Sequence, residues 1–385
     1  MLNIQIIQPL VPEYRVPFFE ALARDGRYDI QVFASATLPG TQSLRSAHIH
    51  HSFIHLNHPC KAFFGDRALW QKGLILESRL TAGDVLVVCG NPRFLSNYPL
   101  LWNAKRRGVA TVWWGIGTMP GQSSLNGVLR RQIMKWADVV LLYTDRERDE
   151  FLNIGFPGKR LFAINNAIDQ EPIQGAIKQW TTERLREFQW QENLLDKRVF
   201  LFCGRVTPKA RVDLAIQALS LLLRENTKTL LIIIGDGEER FHLQELARQL
   251  GVTESIRWLG TLYDQSVIAP WFLTAKAFVY PGYIGLSNMH AMGYGLPVIT
   301  HRNMSNQSPE VAALHEGMNG LLFEEGNAEH LARMMHRLGS CEEVRLSMSR
   351  QASQTVAVEF TLHEMVRRFL SALEAASEKV KSGGA

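Results

Sequence analysis

The stretch Ala277–Thr300, AFVYPGYIGLSNMHAMGYGLPVIT, reads as an apolar strand, a glycine-bearing turn, a short amphipathic helix and a second apolar strand. A turn that opens a helix at the carboxyl end of a parallel strand leaves its first N–H groups without intrahelical partners, here those near Gly285, Leu286 and Ser287. Such a place attracts anions, phosphate above all. The same segment also reads as an ordinary strand-to-helix connection, because glycine turns are common in α/β domains. The neighbouring strands bear on the choice.

Working outward, apolar runs over 199–203, 230–234, 256–259, 278–280 and 298–300 alternate with helical periods over 213–223, 239–250 and 286–294. The first half repeats the alternation, with strands predicted at 3–8, 30–34, 84–89, 110–114 and 139–143 and helices at 16–23, 95–107, 125–136 and 146–154. That order implies two doubly wound parallel sheets, each covered on both faces. A polar, Gln- and Glu-rich helical stretch from Lys178 to Asp196 separates them. The expected organisation is a first domain over 1–170, a linker helix region over 171–197, a second domain over 198–358 and a terminal segment over 359–385 whose last residues, SGGA, are expected to be unstructured.

At 385 residues with 46% hydrophobic and 21% charged residues, the composition is that of a soluble two-domain protein. No run reaches the roughly 18 to 20 apolar residues of a membrane span, and the amino terminus lacks signal-peptide features, so a cytoplasmic location is expected. Four separated cysteines, Cys60, Cys89, Cys203 and Cys341, offer no CxxC pair. Histidines 48, 50, 51, 55 and 58 alternate along AHIHHSFIHLNH like a strand edge, with no carboxylate or thiol to complete a metal site. No metal is expected.

Charge is uneven: residues 1–160 carry 19 Lys and Arg against 12 Asp and Glu, while the remainder is net −2. Lys105-Arg106-Arg107, Arg130-Arg131, and Arg67 with Lys72 fall on amphipathic segments, which suits contact with an anionic membrane surface; solvated helix faces are the plainer reading. Nucleic acid is disfavoured because no helix-turn-helix, RNP or zinc-finger signature accompanies the basicity.

Ligands of open parallel sheets lie beyond the carboxyl ends of the strands. In the second half those ends carry Gly204-Arg205 with Lys209 and Arg211 behind, then Gly235-Asp236-Gly237, then the turn at Gly282–Ser287. Positive charge beside side-chain-free backbone suggests a nucleoside diphosphate. In the first half the corresponding loops hold Pro9 to Arg15, Gly90-Asn91-Pro92-Arg93 and Gly115-Ile116-Gly117-Thr118.

The order G-R with basic residues behind it, GDGEE, RWLGT, PGYIGLSNMHAMGYGLPVIT, SPE and NGLLF resembles the carboxyl half of glycosyltransferase family 4. The likeness covers about Val199 to Phe323 and extends to Asn165–Asp169; the first half is similar only in texture, as in QPLVPEYRVPFFEAL. It implies a GT-B fold, two Rossmann-like domains facing a cleft, with a final helix, here 360–380, crossing back to the first domain. It implies a nucleotide-sugar donor, a glycan or lipid-linked acceptor, retention of configuration, no cofactor, and a role in cell-envelope polysaccharide assembly.

On that resemblance the catalytic candidates are Arg205, Lys209 and Glu310. Donor contacts would add Gly204, Gly235, Gly237, Gly282, Tyr283, Gly285, Leu286, Ser287 and His290, and acceptor contacts Arg15, Asn91, Arg93, Gly115 and Ile116. The chain departs from the family at three places. The family's usual lysine position aligns with Ala210, leaving Lys209 as the nearest cation. Its two glutamates, seven residues apart, are replaced by Gly282 and His290, the match being closer to a bacterial branch with H-A and Gln307-Ser308-Pro309-Glu310. Ile116 stands where many relatives have histidine. A nucleotide-sugar epimerase or hydrolase on the same fold, or an inactive nucleotide-binding scaffold, therefore stay open as alternatives.

Overall fold

Strands buried on both faces must be apolar at every position rather than at alternate ones. Thr229–Ile234 (TLLIII), Val298–His301 and Gly320–Phe323 are buried throughout. The computed structural model, which describes residues 1–47, 51–118, 124–225 and 228–383, divides the chain into two units: Met1–Asp169 with Leu362–Ala385, and Gln170–Thr361.

The first unit runs β1 (Leu2–Ile7), α1 (Val16–Ala23), β2 (Tyr28–Phe33), β3 (Thr37–Leu38), β4 (Thr41–Arg45), β5 (Ile54–His55), β6 (Cys60–Phe63), β7 (Ala68–Gln71), β8 (Val85–Cys89), α2 (Asn97–Arg106), β9 (Ala110–Trp114), α3 (Ser124–Met134), β10 (Val139–Leu142), α4 (Asp145–Asn153) and β11 (Leu161–Ala163). Its parallel sheet has the order β11-β10-β9-β8-β1-β2-β5, and β3–β4 and β6–β7 form separate antiparallel pairs. Strand order reverses direction between β1 and β8. The last helix of the chain, Leu362–Gly383, belongs to this unit: Phe369 meets Phe18 and Trp114 with ring centroids 5.2 and 5.0 Å apart.

The second unit runs α5 (Glu171–Lys178), α6 (Thr182–Gln191), β12 (Arg198–Cys203), α7 (Val212–Arg224), β13 (Thr229–Ile234), α8 (Arg240–Gln249), β14 (Ile256–Gly260), α9 (Gln265–Thr274), β15 (Ala277–Val279), α10 (Ser287–Gly293), β16 (Val298–His301), β17 (Gly320–Phe323), α11 (Ala328–Ser340) and α12 (Glu342–Val358). The sheet order β14-β13-β12-β15-β16-β17 is the doubly wound 3-2-1-4-5-6 arrangement. Side-chain caps from Thr181, Asp264 and Asn327 start α6, α9 and α11. The stretch expected as a linker region is packed structure: Phe188 of α6 meets Trp271 of α9 edge-on at 4.9 Å, and Arg257 pairs with Glu192 at 2.7 Å. Apolar residues within a polar helix supply that packing, and their spacing alone did not separate it from a connector.

Of the histidine-rich stretch, His48 and His50 lie outside the described residues. Among the described residues of the stretch only Ile54–His55 forms a strand, and the rings there find separate partners: His51 with Glu20 at 2.9 Å, His55 with Gln31 at 2.7 Å, His58 with the Lys72 carbonyl at 3.1 Å. Ser382 and Gly383 continue the last helix, and Ala385 lies outside the described residues. Among the described residues no helix is long and apolar enough to cross a membrane.

Candidate active site

In the second unit the strand order reverses between β12 and β15, so their carboxyl ends open a crevice where such sheets bind ligands. Backbone contacts bring the loops after β12, β13 and β15 together there. A Cβ added to Gly235 would stand 1.9 Å from the Gly204 carbonyl oxygen, one on Gly237 2.2 Å from the Val206 oxygen, and one on Gly282 1.9 Å from the Lys209 oxygen. Only glycine permits these approaches. Two hydrogen bonds fix the same junctions, from Tyr283 N–H to the Lys209 carbonyl at 3.0 Å and from Val206 N–H to the Asp236 carbonyl at 3.0 Å.

The candidate donor residues Gly204, Arg205, Lys209, Gly235, Gly237, Gly282 and Tyr283 thus share one edge of one sheet. Ser287 joins them, its Oγ 3.6 Å from where a Cβ on Gly204 would lie. Arg205 and Lys209 are exposed. Lys209 makes no side-chain hydrogen bond or ion pair among the described residues, whereas Arg211 is held by Asp213 at 2.9 Å. Burial drives the Tyr280 phenol up to about 12, against the opposing pull of the Arg205 charge beside it.

The start of α10 is partly occupied by the protein itself. Ile284 N–H donates to Gln307 Oε1 at 3.2 Å and Gly285 N–H to Ser308 Oγ at 3.0 Å. The expectation of an open N–H at Gly285 is corrected accordingly, since a serine one loop away caps it. The N–H groups of Leu286 and Ser287 have no such partner among the described residues, and nothing lies within 4 Å of a Cβ built on Gly285. Two donors and open space beside an exposed lysine suit a phosphate oxygen.

His290 stands elsewhere. Its Nε2 is hydrogen-bonded to Gln265 Oε1 at 2.9 Å, and its ring meets Phe272 and Tyr294 edge-on at 4.9 and 5.6 Å. Burial among these rings lowers its pKa to about 4, so it is neutral at pH 7. Of the ring nitrogens expected to meet the donor, Nε2 is therefore engaged by Gln265 instead. Glu310 is buried in a 3-10 turn, Pro309–Ala313, and its carbonyl accepts from Asn288 Nδ2 at 3.0 Å, tying the loop to α10. Sequence reasoning missed Gln265, Gln307, Ser308 and Asn288 as the side chains that shape this edge; the Gln-Ser-Pro-Glu run was the available signal.

The candidate acceptor residues of the first unit are less open. Arg15 is buried, its guanidinium bonded to Asn166 Oδ1 at 2.8 Å and lying 5.5 Å from the Trp114 ring centroid, which makes it a packing residue. Gly90 and Gly115 touch through their backbones; a Cβ on either would fall within 2.7 Å of the other. Buried Arg130 clamps this contact, donating to the carbonyls of Gly90 at 3.0 Å and Ile116 at 2.6 Å. Buried Glu147 accepts from Gly117 N–H at 2.8 Å and Tyr143 N–H at 3.0 Å. Asn91 Oδ1 accepts from Arg93 N–H at 3.1 Å, and the exposed Arg93 guanidinium reaches the Asp66 carbonyl. Arg130 was read with its neighbour Arg131 as part of a basic surface, but adjacent helix residues point about 100° apart, and Arg130 faces inward with Met134. Arg107 is likewise engaged, by the carbonyls of Glu77 and Ser78. No group of three His, Cys, Asp or Glu side chains disposed to hold a metal occurs among the described residues.

Known proteins with this architecture include Anabaena Alr3699/HepE, solved in complex with UDP, which aligns with a TM-score of 0.73 at 15% identity over 97% of this chain and 100% of that one. A glycosyltransferase from Rickettsia africae ESF-5 aligns at 0.70 and 13% identity over 98% of both. These likenesses show the fold, GT-B, with two Rossmann-like parallel-sheet domains. In sequence, D-inositol 3-phosphate glycosyltransferase 2 of Catenulispora acidiphila is 28% identical over 44% of this chain and 42% of its own length. The lipopolysaccharide core biosynthesis glycosyltransferase LpsE of Rhizobium meliloti is 25% identical over 46% of this chain and 50% of its own. The match thus spans half or less of the length of these two relatives. Residues 185–355, which include the whole sheet of the second unit, match the family model described as glycosyl transferases group 1.

Proposed function

We propose that this chain is a family 4-like glycosyltransferase. It would move a sugar from a nucleotide-sugar donor to a glycan or lipid-linked acceptor on the cytoplasmic side, retaining configuration and using no metal ion. The observation that carries the reading is the convergence, at the strand-order reversal of the second unit, of Arg205, Lys209, the glycine edges and the start of α10. Structural neighbours solved with UDP and with UDP-glucose support a nucleotide-sugar donor. Relatives named for Vi polysaccharide and lipopolysaccharide core biosynthesis support a place in envelope glycan assembly.

In this reading Arg205, Lys209 and the Leu286 and Ser287 N–H groups hold the donor diphosphate. As the anomeric C–O bond breaks, charge builds on the leaving phosphate, and fixed cations and N–H donors stabilise that state more than the ground state. The acceptor oxygen bonds the same face of the anomeric carbon and its proton passes to a phosphate oxygen, so no protein base is required. Glu310 and His290 then act as supports of the loop and helix.

Transfer from radiolabelled nucleotide sugars to envelope glycan and lipid extracts tests the proposal. Arg205→Ala and Lys209→Ala are each expected to lower turnover on the order of 10²-fold with folding intact. Donor consumption without a labelled acceptor would instead indicate hydrolysis or epimerisation, and an unchanged rate in Arg205→Ala would overturn the site.

A further inference from the structure

The donor edge lies at the carboxyl ends of the second unit's strands, whereas a separate cavity of about 110 Å³ lies at the amino end of β17. One wall is a stripe of α12. Its residues Gln351, Gln354, Thr355 and Val358, spaced at i, i+3, i+4 and i+7, share one helix face. The other wall is the turn that leads into β17, with His315, Met318 and Asn319.

Buried hydrogen bonds set these walls. Asn319, fully buried, donates from Nδ2 to the Ala313 carbonyl at 2.9 Å and to Thr355 Oγ1 at 3.0 Å, while its Oδ1 accepts from the His315 N–H at 2.7 Å. Thr355 Oγ1 donates in turn to the Gln351 carbonyl at 2.9 Å. One asparagine thus ties turn to helix, and a buried network whose members are satisfied holds a fixed shape. The rim groups are unspent. Among the described residues the side-chain amides of Gln351 and Gln354 make no hydrogen bond, whereas those of Gln174, Gln189 and Gln265 on α5, α6 and α9 do. The His315 ring and the Glu359 carboxylate stand 4.0 Å apart, longer than a hydrogen bond.

The chemistry of this lining selects a class of ligand. A phosphate or carboxylate would call for arginine or lysine, and neither lines the cavity. A metal ion would call for a group of three ligating side chains, which does not occur among the described residues. Two amides, a carboxylate and an imidazole offer donors and acceptors side by side, which is what adjacent hydroxyl groups require. Met318 and Val358, 56% and 65% exposed, flank them with aliphatic surface for the C–H face of a sugar ring.

We infer that this cavity binds one ring of a neutral saccharide, as a holding site for glycan apart from the donor edge. Its volume is well below the roughly 300–1,000 Å³ of pockets that enclose a whole ligand, so the rest of the glycan stays in solvent. Affinity for a single ring is accordingly weak, with Kd on the order of 1 mM. Weak retention of a long glycan still raises its local concentration at the enzyme. The choice of saccharide rests on the proposed transfer to a glycan; the cavity shares no residue with the donor edge.

The full chain, labelled with 13C at its methionine methyl groups, is titrated by NMR with maltotriose and with triacetylchitotriose, and Met318→Leu assigns the Met318 signal. A saturable shift of that signal with at least one trisaccharide is expected, unchanged by UDP. Gln351→Ala/Gln354→Ala is expected to weaken binding about 10-fold, as the loss of two neutral hydrogen bonds implies, with Tm near that of the parent chain. Arg205→Ala is expected to keep the shift, so the donor site and this one fail separately. No shift with either trisaccharide, a shift that inorganic phosphate reproduces, one that UDP removes, or equal affinity in Gln351→Ala/Gln354→Ala would overturn the inference.

Discussion

At the residue scale, the glycine at position 282 has a steric cause. The Gly282 backbone lies so close to the Lys209–Ala210 turn that any Cβ would stand 1.9 Å from the Lys209 oxygen and 2.8 Å from the Ala210 carbonyl carbon. Gly282→Glu, which introduces the carboxylate expected there from the resemblance, is therefore expected to destabilise the protein by at least about 2 kcal/mol without raising activity. Gly285→Ala should cost only about 1 kcal/mol, through its positive φ of 58° in open surroundings. Urea denaturation of both variants checks the order, and a stable, more active Gly282→Glu protein would refute the steric account. His290 carries a second prediction. Its pKa falls from 6.5 to about 4 on folding, so between those values the unfolded chain binds the extra proton. Stability is full above pH 6.5 and declines as pH falls toward 4, by up to about 1.4 kcal/mol per pH unit. Buried His301, also lowered by burial, acts in the same direction. Paired carboxylates such as Glu342, held near 2 by Arg345, lose their stabilisation only below 4.5, so the interval above that isolates the histidines. Denaturation midpoints from pH 7 to 4.5 should show a slope that His290→Gln reduces; an unaltered slope would exclude this residue.

At the scale of elements, Arg130 and Glu147 join the loops after β8, β9 and β10 of the first unit. The guanidinium satisfies two carbonyls and the carboxylate two N–H groups, in a setting buried enough to lower the Arg130 pKa. Arg130→Met leaves the Gly90 and Ile116 carbonyls without that partner, with an expected loss of about 2–4 kcal/mol in urea denaturation. A loss below about 1 kcal/mol would mean that water replaces the clamp. This clamp also marks how far the sequence could be read. Fully buried strands such as β12 and β13 announce themselves as apolar runs, and glycine placed after a strand reports close backbone approach, so both sheets and the glycine-lined edge of the second were legible. Short pieces were not: β3 to β7 have two to five residues each, too few for a period, and α9 hides its helix behind Pro270. Side-chain fate was the hardest. Arg130 beside Arg131, and His290 in a helix, acquire their roles from Gly90 and Gln265, partners distant in sequence that no local pattern discloses.

At the scale of the whole molecule, net charge and the anion-ready edge lie in different halves. Residues 1–160 hold the excess of cations, yet in the first unit Arg130 and Glu147 close the loops at the strand ends by binding backbone groups, and Arg15 is held by the Asn166 side chain. In the second unit, which belongs to the half of lower charge, Lys209 is exposed beside two N–H donors and open space. Local geometry, not bulk electrostatics, should then decide where a nucleoside diphosphate binds. A ligand that binds only the native state stabilises it by about 2.7 kcal/mol at a hundredfold excess over Kd, which raises Tm by several degrees for a chain of this size. UDP is expected to produce that shift in the parent chain and in Lys105→Glu/Arg131→Glu/Lys135→Glu, and to lose most of it in Lys209→Ala. UMP, with a single phosphate, should shift Tm less than UDP at equal concentration. A shift of equal size in Lys209→Ala, or one abolished by the first-unit triple variant, would move the binding site to the basic half of the chain.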